Sequence, residues 1–149
     1  MNPELVLSNE LRRLVESRMK NTLKGIEETL QHILERQEIG LEELRGTIKS
    51  LETSFNLLSQ KWSLQILYTL FLRKTMGFGE LKKILSVNSR TLSDKLKSLK
   101  RYGYIRRLVE QGPPLRVKYS LTMLGKNTIL LALPLIYYSS SNLSENISK

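Results

Sequence analysis

Between residues 89 and 101 the sequence concentrates basic and hydroxyl side chains at helical spacing. In the segment SRTLSDKLKSLKR, leucines fall at positions 92, 96 and 99, the spacing of one buried helical face. At about 100° per residue, the opposite face carries a stripe of charged side chains, with Ser93 and Lys100 to one side. The stripe consists of Arg90, Asp94, Lys97 and Arg101.

The side chains on this helix are of the types that contact duplex DNA. Arg and Lys donate hydrogen bonds to guanine or to phosphates, and Ser and Thr pair with several base edges. Residues near the helix start are best placed to read a major groove about 12 Å wide, so we predict base contacts from Thr91, Ser93 and Asp94. Lys97 and Arg101 are predicted to bind phosphates. The full predicted contact set of this helix is Ser89, Arg90, Thr91, Ser93, Asp94, Lys97 and Arg101.

The charge around this helix is strongly one-sided. Residues 61–126 hold 15 Lys and Arg against 3 Asp and Glu, whereas residues 1–58 hold 8 against 10. The whole chain has a net charge of +10. A charged helix face alone is usually just a solvated surface, but here almost nothing neutralises it, which favours a nucleic-acid partner. The predicted interface therefore includes basic residues of the preceding helix and the following hairpin: Lys82, Lys83, Arg106, Arg107, Arg116 and Lys118.

The surrounding sequence predicts three helices followed by a β-hairpin. The segment KWSLQILYTLFL predicts a buried helix, and a turn at Met76–Gly77 leads to a short helix from about Gly79 to Leu85. Ser89 is expected to cap the next helix, which stops at Gly103. Residues 104–111 and 116–121 predict two strands joined by GPPL. Two helices joined by a short turn describe a helix-turn-helix, and the hairpin adds a wing.

The N-terminal region predicts a coiled coil, because apolar residues recur at alternating threes and fours from residue 23 to residue 58. A long amphipathic helix packed on its own domain is the competing interpretation. The phase slips beside Gly40, so the chain either reverses near Glu38–Gly40 or forms one helix with a stutter. The predicted dimerisation residues, which include two on the last helix, are Leu23, Ile26, Leu30, Ile33, Leu41, Leu44, Ile48, Leu130 and Leu133.

After the hairpin, Thr122 is expected to cap a last helix that Pro134 bends or ends. Its run ILLALPLIYY is roughly half as long as a membrane span, which favours a buried dimer interface. The predicted class is mainly α with a small β-hairpin (α+β). We expect a coiled-coil dimerisation region at 1–56, a winged-helix domain at 57–122, a dimer-interface helix at 123–138 and a frayed tail at 139–149.

Other chemistry has little support in this sequence. The absence of cysteine excludes disulfides, thiolate nucleophiles and thiol redox sensing. The single histidine, His32, lies among coil residues, and GFGELK lacks the spacing of a phosphate-binding loop, so we expect neither metal nor cofactor. We find no catalytic constellation and expect no enzyme. The N-terminus lacks the apolar core of a signal peptide, which predicts a soluble cytoplasmic protein without a membrane partner.

Four segments together resemble the HxlR-type winged-helix transcriptional regulators: KWSLQILYTLF, GFGELKKIL, SRTLSDKLKSLKRYGYIRR and PPLRVKYSLTMLG. The resemblance covers roughly residues 57–126. It implies a dimer that binds operator DNA, with the recognition helix in the major groove and the wing tip near the minor groove. The chain departs from the pattern at Gly77, where a basic residue is usual, in its lack of cysteine, and in an N-terminal extension that is far longer than usual. Its long N-terminal extension resembles those of archaeal regulators.

The first hypothesis is therefore a homodimeric, sequence-specific regulator of transcription, and a repressor because blocking a promoter requires only binding. An architectural protein that coats DNA is the second hypothesis, and a protein-interaction adaptor is the third. A regulator should prefer its own site over random DNA by about a thousandfold or more, an architectural protein should not, and an adaptor should not bind DNA. The sequence does not predict a small-molecule effector.

Overall fold

The computed structural model describes residues 9–37 and 40–147, with side chains described for 13–36, 40–136 and 139. Within these residues the chain is mainly α-helical with a small antiparallel sheet, as predicted. The elements in chain order are α1 (Asn9–Gln37), α2 (Leu41–Ser59), α3 (Ser63–Arg73), β1 (Thr75–Gly77), α4 (Phe78–Leu85), α5 (Ser89–Arg101), β2 (Ile105–Glu110), β3 (Arg116–Leu121) and α6 (Met123–Ile147).

The chain divides into two compact units, Met1–Ser50 and Leu51–Lys149. The first unit contains α1 and the first half of α2, whose opening turn is closed by a 3.0 Å hydrogen bond from the Leu44 N–H to the Gly40 carbonyl. The predicted reversal or stutter concerns Glu38 and Ile39, which lie outside the described residues. α2 continues to Ser59, past the boundary predicted after residue 56.

The second unit is built around one apolar core. α3 supplies Ile66, Leu67 and Leu70 at helical spacing, each 1% exposed or less. Tyr104 is 6% exposed, and the half-buried Trp62 and Tyr119 pack against the core. The remaining core residues are Leu57, Met76, Leu81, Val87, Leu92, Leu96, Leu99, Ile105 and Ile129. Leu57 belongs to α2, so the end of that helix is anchored in the second unit.

The sheet contains a third strand that the sequence did not predict. Residues around the expected turn at Met76–Gly77 form β1, which pairs antiparallel with β3 and places Met76 opposite Tyr119. The strand order is β1-β3-β2. The hairpin itself is confirmed, with register from Ile105 opposite Leu121 to Glu110 opposite Arg116. The buried Met76 side chain joins this short strand to the core.

Helix ends also differ in places from the predictions. α5 is capped by Asn88 rather than Ser89, because the Asn88 side-chain oxygen accepts the Thr91 N–H at 2.8 Å. α6 runs through Pro134 to Ile147, so the proline does not end it and helix continues into the segment predicted to be a tail. Within residues 9–37 and 40–147, no helix combines the length and apolarity needed to cross a membrane.

The junction between β3 and α6, which we call the Thr122 junction, locks two parts of the domain together. Thr122 caps α6 as predicted, because its hydroxyl oxygen accepts the Gly125 N–H at 3.1 Å. The same oxygen lies 2.5 Å from the Gly103 carbonyl, and the Thr122 N–H donates to the Tyr104 carbonyl at 3.0 Å. The start of α6 is thus tied to the turn that follows α5.

Candidate nucleic-acid interface

The rotation of α5 about its axis is fixed by its leucine face. Leu92, Leu96 and Leu99 are 0%, 2% and 0% exposed. Burial of these three side chains stabilises one orientation of the helix and turns the opposite side toward solvent. The predicted charged stripe lies on that exposed side, which carries Arg90, Asp94, Lys97 and Arg101.

The turn between α4 and α5 determines where α4 ends and α5 begins. Ser86 ends α4 in the left-handed region at φ 51°, and its N–H donates to the Lys82 carbonyl. Val87, 6% exposed, inserts into the core, and Asn88 then caps α5. Asn and Ser are equally good N-caps, so the sequence alone does not show which of the adjacent Asn88 and Ser89 caps α5.

The predicted base-reading residues differ in accessibility. Thr91 and Ser93 are half-buried, whereas Asp94 is exposed, as is the neighbouring Arg90. Asp94 lies about one helical turn from both Arg90 and Lys97, but the described ion pairs include none between Asp94 and these cations. The acidic group therefore remains available to a ligand, as do the two basic groups beside it.

Two basic residues of α5 are held by specific neighbours. Lys95, which the sequence did not single out, is half-buried, and its Nζ donates to Oε1 of Gln60, in the segment between α2 and α3. Lys95 therefore ties α5 to the segment that precedes α3. The Arg101 guanidinium lies 5.4 Å from the centre of the Tyr102 ring, a cation–π distance that restrains it at the end of α5.

The basic side chains predicted on the hairpin, which forms the wing, are divided between its two faces. Ile105 is buried, and side chains alternate along β2, so Arg106 and Arg107 leave the strand on opposite faces. The Lys118 Nζ lies 3.1 Å from Oε1 of Glu110, which partly neutralises one predicted contact residue. Arg116 is exposed where β3 leaves the loop at the wing tip.

On α4, the predicted contact residues Lys82 and Lys83 are both exposed in the last turn, immediately before α5. The exposed basic side chains thus lie on three neighbouring elements: α4, α5 and the hairpin. Within the part of the chain that the structure describes, no group of three or more His, Cys, Asp or Glu side chains could hold a metal ion. The exposed basic side chains of α4, α5 and the hairpin together give this surface an excess of positive charge.

Residues 57–146 match the family model described as HxlR-like helix-turn-helix. The chain belongs to this family. Two relatives from Bacillus subtilis (strain 168) are described as uncharacterized HTH-type transcriptional regulators. YdzF is 39% identical over 77 residues, covering 51% of this chain and 71% of YdzF. YvaP is 36% identical over 76 residues, covering 50% of this chain and 69% of YvaP.

Solved structures show the same fold. A protein from Enterococcus faecalis V583, described as a MarR-family transcriptional regulator, aligns with a TM-score of 0.58 at 26% identity, covering 67% of this chain and 90% of its own. The redox regulator HypR in its reduced form aligns with a TM-score of 0.57 at 26% identity, covering 67% of this chain and 99% of its own. This HxlR-like chain contains no cysteine.

Proposed function

We propose that this HxlR-like chain is a homodimeric, sequence-specific regulator that binds double-stranded DNA and represses transcription by occupying its operator. The observation that carries the proposal is the exposed charged face of α5, which is held by three buried leucines. Repression follows from binding alone, because a protein seated on a promoter excludes other proteins from it.

In this proposal the start of α5 reads bases in the major groove. Arg90 is exposed and can donate two hydrogen bonds to a guanine edge. Asp94 can only accept, so it suits the amino group of cytosine and repels phosphates. A carboxylate in this position favours a sequence-specific regulator over an architectural protein, which gains affinity from cations alone. Thr91 and Ser93, which are half-buried on α5, contact bases through their short hydroxyl side chains.

Farther along α5, Lys97 and Arg101 bind phosphates, as do Lys82 and Lys83 of α4. The wing places Arg116 in the adjacent minor groove. Pro113 and Pro114 each fix a φ angle in the loop before it, so less conformational entropy is lost when the loop is ordered on DNA. A narrow A·T-rich minor groove concentrates negative potential and attracts such an arginine.

Dimerisation is proposed through the apolar residues of α1 and α2 that are predicted to form a coiled-coil seam, namely Leu23, Ile26, Leu30, Ile33, Leu41, Leu44 and Ile48. On α1, Leu23, Ile26 and Leu30 are 54%, 48% and 55% exposed. Rows of large apolar side chains in contact with water mark interaction surfaces, and the heptad spacing fits a second helix of the same kind. On α6, Leu130 is 43% exposed and available to a partner, whereas Leu133 packs partly against the core.

Salt-dependent DNA binding tests the α5 interface. Operator duplexes are first selected from random fragments with the 149-residue chain. Affinity is then measured by fluorescence anisotropy across a range of salt concentrations. Lys97→Ala should weaken binding to all duplexes alike and reduce the salt slope by about one unit, because one phosphate contact is lost. The matched control is Lys49→Ala, which removes the same charge from α2.

The control variant should bind like the original protein. Equal effects of Lys97→Ala and Lys49→Ala would mean that α5 does not form the DNA interface. The absence of any binding to duplexes would favour the adaptor hypothesis instead.

A further inference from the structure

A cleft of about 580 Å³ lies where α3, the hairpin and the start of α6 meet. Pockets of roughly 300–1,000 Å³ are the usual size for small organic ligands. The lining combines apolar side chains from α3 with polar and basic side chains from the strands and α6. Its residues are Leu70, Phe71, Lys74, Arg106, Ser120, Leu121, Thr122, Met123 and Lys126.

Three cations from three different segments converge on this cleft. Lys74 follows α3, Arg106 lies on β2, and Lys126 lies in the first turn of α6. The lining contains no Asp or Glu, and the ion pairs found among the described residues include none of the three. Like charges brought together around one concave site repel each other, and a bound anion relieves that repulsion.

The apolar part of the cleft determines what kind of anion fits. Leu70 is 1% exposed, and Phe71 and Leu121 are half-buried, so the cleft has a floor made of the edge of the core. A phosphate of the DNA backbone would gain nothing from contact with these side chains. An organic anion would place its charged group beside the cations and its apolar body over this floor.

The backbone at Lys74 provides independent support. Its φ is 68° and its ψ is −62°, a conformation that residues other than glycine seldom adopt, and its N–H donates to the Leu70 carbonyl at 2.9 Å. Strained residues of this kind persist where the surrounding structure holds them, and they occur preferentially at ligand-binding sites. Lys74, an exposed cation in the cleft lining, thus occupies a strained backbone position.

We propose that this cleft binds an organic anion with an apolar ring system, such as an aromatic carboxylate. The ligand would contact β2, β3 and the first turn of α6, and therefore both strands of the wing. Its effect on DNA affinity rests on the proposed function and would follow from thermodynamic linkage, because a ligand that restrains the wing changes the affinity for DNA. Binding to the cleft itself does not depend on DNA.

The test uses 2-naphthoate as the probe and isothermal titration calorimetry of the full chain without DNA. A dissociation constant below about 1 mM is expected, which is ordinary for a ligand of this size. 2-Naphthalenemethanol carries the same rings without the charge. It should bind at least about tenfold more weakly, a difference of about 1.4 kcal/mol. Inorganic phosphate alone, which lacks the apolar body, should also bind more weakly than 2-naphthoate.

Variants locate the binding site. Arg106→Gln and Lys126→Gln should each weaken 2-naphthoate binding by about tenfold, because each removes a charge-assisted hydrogen bond. Lys49→Gln changes a residue of α2 that is not part of the cleft lining, and it should leave binding unchanged. All three side chains are exposed, so thermal unfolding should show that the variants remain folded.

Equal binding of the acid and the alcohol overturns the proposal, and so does unchanged binding in both cleft variants. The proposal is also overturned if the cleft variants weaken DNA binding but not 2-naphthoate binding, since the cations would then belong to the DNA interface. Binding of 2-naphthoate by a chain that does not bind DNA would overturn the proposed function and support the cleft.

Discussion

The first turn of α6 leaves no room for a side chain at Gly125, so Gly125→Ala tests how the domain is held together. A Cβ atom at this position would lie 2.0 Å from the Tyr104 carbonyl oxygen and 3.2 Å from a Leu121 methyl carbon. Ordinary contact begins at 3.4 Å, so α6 and the Tyr104 backbone must separate by about 1.4 Å (3.4 − 2.0). The Tyr104 carbonyl carbon would also lie only 3.0 Å away, and both Tyr104 atoms belong to the backbone, which cannot rotate away as a side chain can.

That separation disturbs the Thr122 junction as well as the packing. Overpacking of a buried site costs about 1–3 kcal/mol, and a weakened backbone hydrogen bond about 1 kcal/mol more. The helix propensity of alanine returns at most about 1 kcal/mol. We therefore expect Gly125→Ala to lower the free energy of unfolding by about 1–4 kcal/mol.

The assay is urea unfolding followed by the fluorescence of Trp62, the single tryptophan, which packs against the core of the second unit. The midpoint should fall at an unchanged denaturant slope. Gly79→Ala is the matched control, because Gly79 lies in α4 with nothing within 4 Å of its added Cβ. It should be neutral or stabilise by up to about 1 kcal/mol. Equal midpoints for the two variants would refute the close approach at Gly125.

Three further predictions concern binding. Changing Ile26 and Leu30 together to Asp should convert the dimer to a monomer in light scattering, since each buried side chain contributes about 1.5–3 kcal/mol; an unchanged mass would move the interface to α6. Asp94→Ala should increase affinity for random duplexes and relax preference at one base pair by about 1–3 kcal/mol; unchanged selectivity would remove Asp94 from base reading. Arg116→Ala should weaken binding most where A·T-rich sequence flanks the operator; equal losses on G·C-rich flanks would make it an ordinary phosphate contact.

Much of the fold could be predicted because its signals are local. Leucine spacing gave α5 its buried face, and β-branched residues on either side of GPPL gave the hairpin. β1 was missed because three residues are too few to show alternation, and its strand character comes from pairing with β3, more than 40 residues later in the chain. α6 continues past Pro134 although proline usually interrupts a helix, and nothing in its local sequence indicated this.

The side chains of the candidate interface could be predicted only in part. Helical geometry was enough to place Arg90 and Lys97 on the exposed face of α5. The pairing of Lys118 with Glu110 depends on the register of the hairpin, which sequence alone did not provide. The Lys95 contact with Gln60 and the three cations of the cleft join distant parts of the chain, so only the packed structure brings them together.

The measurement that tests the central claim most directly is the ratio of affinities for a selected duplex and for a scrambled duplex of the same composition. The 149-residue chain is titrated with both duplexes at one salt concentration, since affinity depends steeply on salt. Sequence-specific regulation predicts a ratio of about a thousandfold or more. A ratio near one would contradict it and favour an architectural protein that coats DNA.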